Sequence, residues 1–366
     1  MKAVIPCAKK EDSLFPLIES KPTGLMPVMG QPLVKHLVRK LKSSGIDDIY
    51  LVTNYREEMF REEFGEFTDV NIVTQEEIEG TGSAVEECNF IEDDFLVVNG
   101  DVATSENNLK SLIEKHESSD SEVTVLSKES SSPRKFGVLS ITNDKIDSIK
   151  EKPENPENTL VNTGIYAFKP SVFEYLDDMG SEKDLTEAVE MIIEKGEARF
   201  ELAEDYWIDI GSPRKLWEAD RVMRNKEISE TKIDGNAEVH ENVEILGEAV
   251  VEEGAEIKPG TVVEGSCYIG ESAILGPNAV VSDSTVSKGC QLRSCNVESS
   301  LLFEENIVDS STVVEQSVIG EESDIKSNTS IRESFIGPRS FIEVNNSIYG
   351  VKFVPDARTD LSEISK

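Results

Sequence analysis

Aliphatic residues recur at every sixth position over a long stretch of this chain, and that spacing leaves few folds open. Val239, Ile245, Val251, Ile257, Val263, Ile269, Leu275 and Val281 keep the interval without a break. Two positions before each stand Ala237, Val243, Ala249, Ala255, Thr261, Cys267, Ala273 and Ala279, nearly all small. Gly235, Gly247 and Gly265 fall four positions before their aliphatic partners. An α-helix repeats at about 3.6 residues and a strand at about 2, so neither produces this pattern. A parallel β-helix does. One aliphatic side chain per short strand points inward and stacks on the coil above, and the small residues let the corners turn tightly. Ser317-Val318-Ile319-Gly320 and Ser334-Phe335-Ile336-Gly337-Pro338 read as further coils in a looser register. The ends of such a solenoid need capping or pairing.

Before this repeat the pattern is different. Leu33, Val34, Leu37, Val38 and Leu41 form one face of a helix that Pro32 opens and Gly45 ends. Strand-like runs follow at Asp48 to Thr53, Val70 to Val73, Phe95 to Asp101 (ending in Asn-Gly-Asp), Glu122 to Leu126 and Gly137 to Ile141. Strands alternating with helices predict an α/β domain, Rossmann-like, with a mostly parallel sheet covered on both faces. The chain is 366 residues long, more than one ordinary core accommodates. The expected division is 1–228 for the α/β domain, 229–355 for the β-helix and 356–366 for a polar tail. Arg214 to Lys226 reads as a connecting helix, with a structural role.

Composition excludes several partners. A net charge of −35 argues against nucleic acid and anionic membrane. The acidic residues are spread along the chain, as in a solvated shell. No apolar run is long enough to span a bilayer. The N-terminus enters a strand directly, without signal-peptide architecture. The five scattered cysteines fit reduced thiols in a cytoplasmic protein and do not form a zinc-ligand pattern.

The opening segment carries the chemistry. Lys2 to Ala8 reads as a buried strand, Lys9-Lys10-Glu11-Asp12-Ser13 as a turn, and a helix starts near Pro32. Strand, turn and helix in this order place phosphates at the carboxyl edge of an α/β sheet. The turn has no glycine, however, and glycine is what lets backbone N–H groups approach an anion closely.

Six segments, in order, resemble the sugar-1-phosphate nucleotidyltransferases that carry a C-terminal left-handed β-helix. They are the opening segment with Leu14, Pro16, Leu17, Pro22, Leu25, Pro27, Val28 and Pro32; Gln75 with Gly80-Thr81-Gly82-Ser83-Ala84; Gly100-Asp101; Glu151-Lys152-Pro153; Asn162-Thr163-Gly164-Ile165-Tyr166; and Trp207-Ile208-Asp209-Ile210-Gly211. The resemblance implies attack of a sugar-1-phosphate on a nucleoside triphosphate, forming a nucleotide sugar and pyrophosphate. It assigns Asp101 and Asp209 to Mg²⁺, Asp101 and Lys152 to catalysis, and Lys152 to the sugar phosphate. It assigns Ala8, Gln75, Gly80, Thr81 and Gly100 to the nucleotide, and Glu151, Asn162 and Gly164 to the sugar. It also implies a homo- or hetero-oligomer formed through the β-helix.

The sequence departs from the family pattern where the triphosphate would rest. Lys9 and Glu11 stand at the two loop glycines, Asp12 at the threonine, Ser13 at the arginine and Thr23 at the lysine of the Pro-Lys-Pro segment. Losing one preorganised charge contact costs about 3 kcal/mol in the transition state. Lys9, Lys10 and Lys21 are the candidates to compensate. The alternative expectation is a catalytically degenerate regulatory or binding subunit that partners an active paralogue. An acyltransferase, a third reading, needs a histidine base between coils. The β-helix has only His240, which reads as a surface residue.

Overall fold

The computed structural model describes residues 1–180 and 183–359. The chain forms two compact units that interleave in sequence. One comprises Met1–Lys10, Pro22–Gly24 and Leu33–Asp209. The other comprises Glu11–Lys21, Leu25–Pro32 and Ile210 onward.

The first unit is built on a nine-stranded mixed sheet. Its order is Val70–Thr74, Ile49–Thr53, Lys2–Pro6, Phe95–Val98, Leu160–Phe168, Val123–Glu129, Ala198–Leu202, Lys145–Glu151 and Gly137–Thr142. The first four strands run parallel. Leu160–Phe168 runs antiparallel to both of its neighbours, and beyond it Ala198–Leu202 pairs in parallel with Val123–Glu129, so the expected parallel sheet is interrupted at that strand. Lys2–Pro6, Phe95–Val98 and Leu160–Phe168 are buried almost throughout, as in a sheet covered on both faces. The helix Leu33–Ser43 buries Leu33, Val34, Leu37, Val38 and Leu41 as its spacing predicts. Gly45 then takes a positive φ of 87°, and its N–H donates to Lys42 O at 2.9 Å.

From Lys2–Pro6 the chain moves outward to Ile49–Thr53 and Val70–Thr74. It then returns to Phe95–Val98 on the opposite side. The order therefore reverses between Lys2–Pro6 and Phe95–Val98. The crevice beyond the carboxyl ends of such a strand pair is where α/β sheets bind ligands. Cys7-Ala8 and Asn99-Gly100-Asp101 follow those two ends.

The second unit contains a three-sided β-helix whose faces are all-parallel sheets of eight, seven and seven strands. Val239 pairs with Ile257 and Ile257 with Leu275, each eighteen residues on. Leu275 then pairs with Leu292 and Leu292 with Val308, at seventeen and sixteen. The sixfold register loosens in the sequence because the corners shorten, while the inward stacking continues unbroken. Ile257, Leu275, Leu292, Val308, Ile325 and Ile342 are fully buried. The small corner residues Ala255, Ala273 and Ala279 are buried too.

In the later coils serines replace alanine and satisfy backbone donors. Ser284 Oγ accepts from Ser300 N–H at 3.0 Å, Ser300 Oγ from Ser317 N–H at 3.2 Å, and Ser317 Oγ from Ser334 N–H at 3.1 Å. Asp356–Thr359 continue the coil: Asp356 N–H donates to Pro338 O at 2.9 Å and Asp356 pairs with Arg339. The rest of the expected tail lies outside the described residues.

The helix Pro213–Glu227 belongs to this unit. Ser212 caps it, accepting from Lys215 N–H at 3.3 Å, and Pro213 fills its first turn. Asp220 and Arg224 are both 1% exposed and bonded at 2.9 Å. Asp220 also accepts from Met29 N–H at 2.8 Å and Thr285 Oγ at 2.7 Å, and Arg224 donates to Ser266 O. The helix thus fastens the 25–32 segment to the coils.

Candidate active site

Gly100 fixes the floor of the crevice. Its N–H donates to Pro6 O at 3.0 Å. A Cβ here would collide with Cys7 Sγ and lie 2.8 Å from Pro6 O, so only glycine lets the two strand ends close up. Ala8 is 4% exposed and its carbonyl accepts from Tyr55 N–H at 3.2 Å. Burial, reinforced by the Asp101 carboxylate, pushes the Cys7 thiol far above its ordinary pKa.

Asp101 and Asp209 come together through a short ladder. Val102–Thr104 pairs antiparallel with Trp207–Asp209, and Asp209 faces Val102, the neighbour of Asp101. Both aspartates are partly exposed. Two carboxylates on the chain segments that this ladder joins are hard oxygen donors of the kind that suit Mg²⁺.

Asn162 and Gly164 form a bulge in the nine-stranded sheet. The pairing of Leu160–Phe168 with Val123–Glu129 shifts register between Asn162 and Tyr166. Gly164 takes φ 73°, and a Cβ on it would stand 2.5 Å from Asn99 Nδ2. Asn162 is 8% exposed and shapes the bulge from inside. Its Oδ1 accepts from Gly164 N–H at 3.0 Å and its Nδ2 donates to Tyr166 Oη at 2.6 Å. Burial holds the Tyr166 phenol up at about 12.

Trp207 links this bulge to the Glu151-Lys152 motif. Its Nε1 donates to Thr163 O at 2.9 Å, and its ring meets Phe136 edge-on at 5.3 Å. Phe136 O in turn accepts from Lys152 N–H at 3.1 Å. Lys152 is 67% exposed, adopts φ 41°, and pairs with Glu151 at 3.1 Å. A left-handed backbone at a non-glycine residue is costly and concentrates at functional sites.

Gln75 is 1% exposed. Its N–H donates to Thr53 O at 2.9 Å and its Nε2 to Ser83 Oγ at 2.6 Å. It therefore pins the Gly80 turn from below. A Cβ on Gly80 would collide with Lys183 O, and one on Gly82 would meet it at 2.8 Å. Thr81 Oγ accepts from Leu185 N–H at 3.3 Å. These glycines accommodate the Lys183-Asp184 backbone, a structural demand their motif did not reveal.

Two further polar groups belong to this neighbourhood. Thr23 Oγ and Asn99 Oδ1 are buried without a hydrogen-bond partner among the described residues. A Cβ on Gly24, next to Thr23, would stand 3.5 Å from both Cys7 Sγ and Gly100 O, so Thr23 borders the same floor. Arg134 and Lys135, on the exposed turn before Phe136, make no ion pair among the described residues. In a chain this acidic, the Pro-Arg-Lys-Phe run is the sequence signal that marks them.

The turn positions from Glu11 to Ser13 belong to the other unit. There Ser13 Oγ hydrogen-bonds Gly211 O at 2.7 Å and Glu11 Oε1 at 2.9 Å. Lys21 pairs with Glu304 at 2.8 Å and lies over the Phe303 ring. It is committed to the β-helix and does not replace the missing phosphate cations. Lys10 lies over the Tyr55 ring at 5.7 Å.

Comparison with known proteins identifies the family. Residues 10–226 match the nucleotidyl transferase family model, and residues 259–360 match the GMPPB C-terminal domain. The bifunctional protein GlmU of Methanocaldococcus jannaschii is 32% identical over 68% of this chain and 60% of its own length. The chain thus spans about 60% of that relative. A low-salt glycan biosynthesis nucleotidyltransferase, Agl11 of Haloferax volcanii, is 31% identical over 85% of this chain and 91% of its own length. A crystal structure assigned as a glucose-1-phosphate thymidylyltransferase from Bacillus anthracis superposes with a TM-score of 0.57 at 26% identity, covering 60% of this chain and 94% of that one. Enzymes of this family generally use a divalent metal. With two domain models in the expected order and a shared arrangement of the sheet, the chain belongs to the sugar-1-phosphate nucleotidyltransferase family.

Proposed function

We propose that this protein joins a sugar-1-phosphate to a nucleoside triphosphate and releases pyrophosphate. The observation that supports the reading is the Trp207–Asp209 ladder, in which Asp209 pairs with Val102, the residue after Asp101. A phosphate oxygen of the sugar-1-phosphate attacks the α-phosphorus. A new P–O bond forms while the bond to the bridging oxygen breaks, and pyrophosphate leaves with that electron pair. Two polyanions must meet, so positioning and charge neutralisation dominate the barrier. Mg²⁺ held by Asp101 and Asp209 would neutralise phosphate charge. Lys152, supported by Arg134 and Lys135, faces the sugar phosphate. Gly100 and Gly164 allow the close packing of Cys7 and Asn99 that forms the floor. The unpartnered Asn99 Oδ1 accepts a sugar hydroxyl.

Pyrophosphate release with Mg²⁺ and a panel of triphosphates and sugar-1-phosphates is the test. Turnover is expected, falling at least about 100-fold in Asp101→Asn with binding of nucleotide sugar largely kept. Absence of turnover with every pair, alongside calorimetric binding of a nucleotide sugar, would replace this reading with that of a regulatory subunit.

A further inference from the structure

We propose a second metal site, on the outer face of the first two β-helix coils, formed by Glu238, His240 and Glu256 and suited to Zn²⁺ or another borderline transition metal. Glu238–Val239 pairs in parallel with Glu256–Ile257, so Glu238 stacks directly on Glu256. Val239 and Ile257 turn inward, which sends Glu238, His240 and Glu256 outward together. His240 Nε2 stands 3.0 Å from Glu256 Oε1 and 3.4 Å from Glu238 Oε1. All three ligand atoms lie within 4.8 Å of one another. Ligands about 2.0–2.1 Å from a tetrahedral zinc lie roughly 3.4 Å apart, so small movements would seat the ion. One imidazole and two carboxylates leave a fourth position for water. Lys258 Nζ, 3.3 Å from Glu256 Oε2, engages the oxygen that the triad does not use.

The location gives the site a physical role. Among the described residues, the strands of the first coil pair with another coil on one side only. Its inward residues Ile233 and Val239 are 46% and 38% exposed, whereas Ile257 and Leu275 are fully buried. A terminal solenoid repeat without a cap is the first to open. A metal bridging Glu238 and His240 on the first coil to Glu256 on the second fastens this end. Binding to the folded state alone stabilises it by mass action. The site uses neither Asp101 nor Asp209 and is independent of the reaction proposed above.

Chelator-stripped full-length protein would be titrated with Zn²⁺ by calorimetry, with Mg²⁺ as the hard-cation control. One zinc equivalent is expected to survive in the Asp101→Asn, Asp209→Asn double variant and to weaken at least about tenfold in His240→Ala. Hydrogen exchange read on peptides covering 232–246 is expected to slow with zinc in the wild type and not in His240→Ala. Zinc binding that is unchanged by His240→Ala, or no zinc binding in the Asp101→Asn, Asp209→Asn variant, would overturn the proposal. Equal protection of 232–246 by Mg²⁺ would do so as well.

Discussion

Single residues at the crevice act mostly through the space they leave. Gly100 is required because the carboxyl ends of two adjacent strands meet there, with Pro6 O 2.8 Å from where a Cβ would sit. We expect Gly100→Ala to destabilise the protein by about 2 kcal/mol or more and to reduce pyrophosphate release. Replacing Cys7 by Ala in the same chain should recover part of the loss, since its sulfur is the nearest obstacle. Urea denaturation of the two single variants and the double one measures the coupling, and strict additivity would show that the sulfur is not the obstacle. Asn162 and Gln75 carry motifs that point to ligand contact, yet both side chains spend hydrogen bonds on shaping the local structure. A one-dimensional pattern does not separate a residue that touches a ligand from one that holds the residue that does.

At the scale of elements, the helix Pro213–Glu227 carries more than a linker would. Its apolar face was readable over Arg214 to Lys226; the cap at Ser212 and the start at Pro213 emerge only in the structure. The buried Asp220–Arg224 pair was not readable either, because an i,i+4 acid–base pair on a helix usually lies on a solvated face. Here both members are buried, and Asp220 collects donors from Met29, Thr285 and Arg224. Arg224→Met should cost about 3–5 kcal/mol, since it leaves a buried carboxylate without its counter-charge. Equilibrium denaturation decides this, and a cost below about 1 kcal/mol would mean that water reaches Asp220. The serine ladder of the later coils has the same character. The residue type at each corner was visible, but the exchange of alanine packing for hydrogen bonds to the next coil was not.

Across the whole molecule, charge sets the response to solvent. A net charge of −35 puts repulsion among carboxylates into the folded state that is relieved when the chain expands. Screening shortens the range of that repulsion to about 3 Å at 1 M salt. The melting temperature should therefore rise by several degrees, on the order of 5 °C, between about 50 mM and 1 M sodium chloride. A flat or falling profile in differential scanning calorimetry would show that attractive pairs such as Lys21–Glu304 and Arg339–Asp356 outweigh the net repulsion. The same acidity sets apart Lys152, Arg134 and Lys135, cations gathered on the two segments that Lys152 N–H and Phe136 O join.

The architecture of both halves is legible in the order of the residues. A sixfold aliphatic repeat can be buried only by stacking coils, and alternating strands and helices can be buried only as a layered sheet. The order of the motifs and the departure of Lys9 to Ser13 from the family pattern are legible there too. How those residues are used follows from their packing. Asp101 and Asp209 become neighbours only when Val102–Thr104 pairs with Trp207–Asp209. Lys21 is withdrawn from phosphate binding only because a coil presents Glu304 and Phe303 to it. Local patterns encode which face of an element is buried. Which distant residues then share a hydrogen bond or a charge depends on how the elements pack, and no residue carries that information within its own segment of chain.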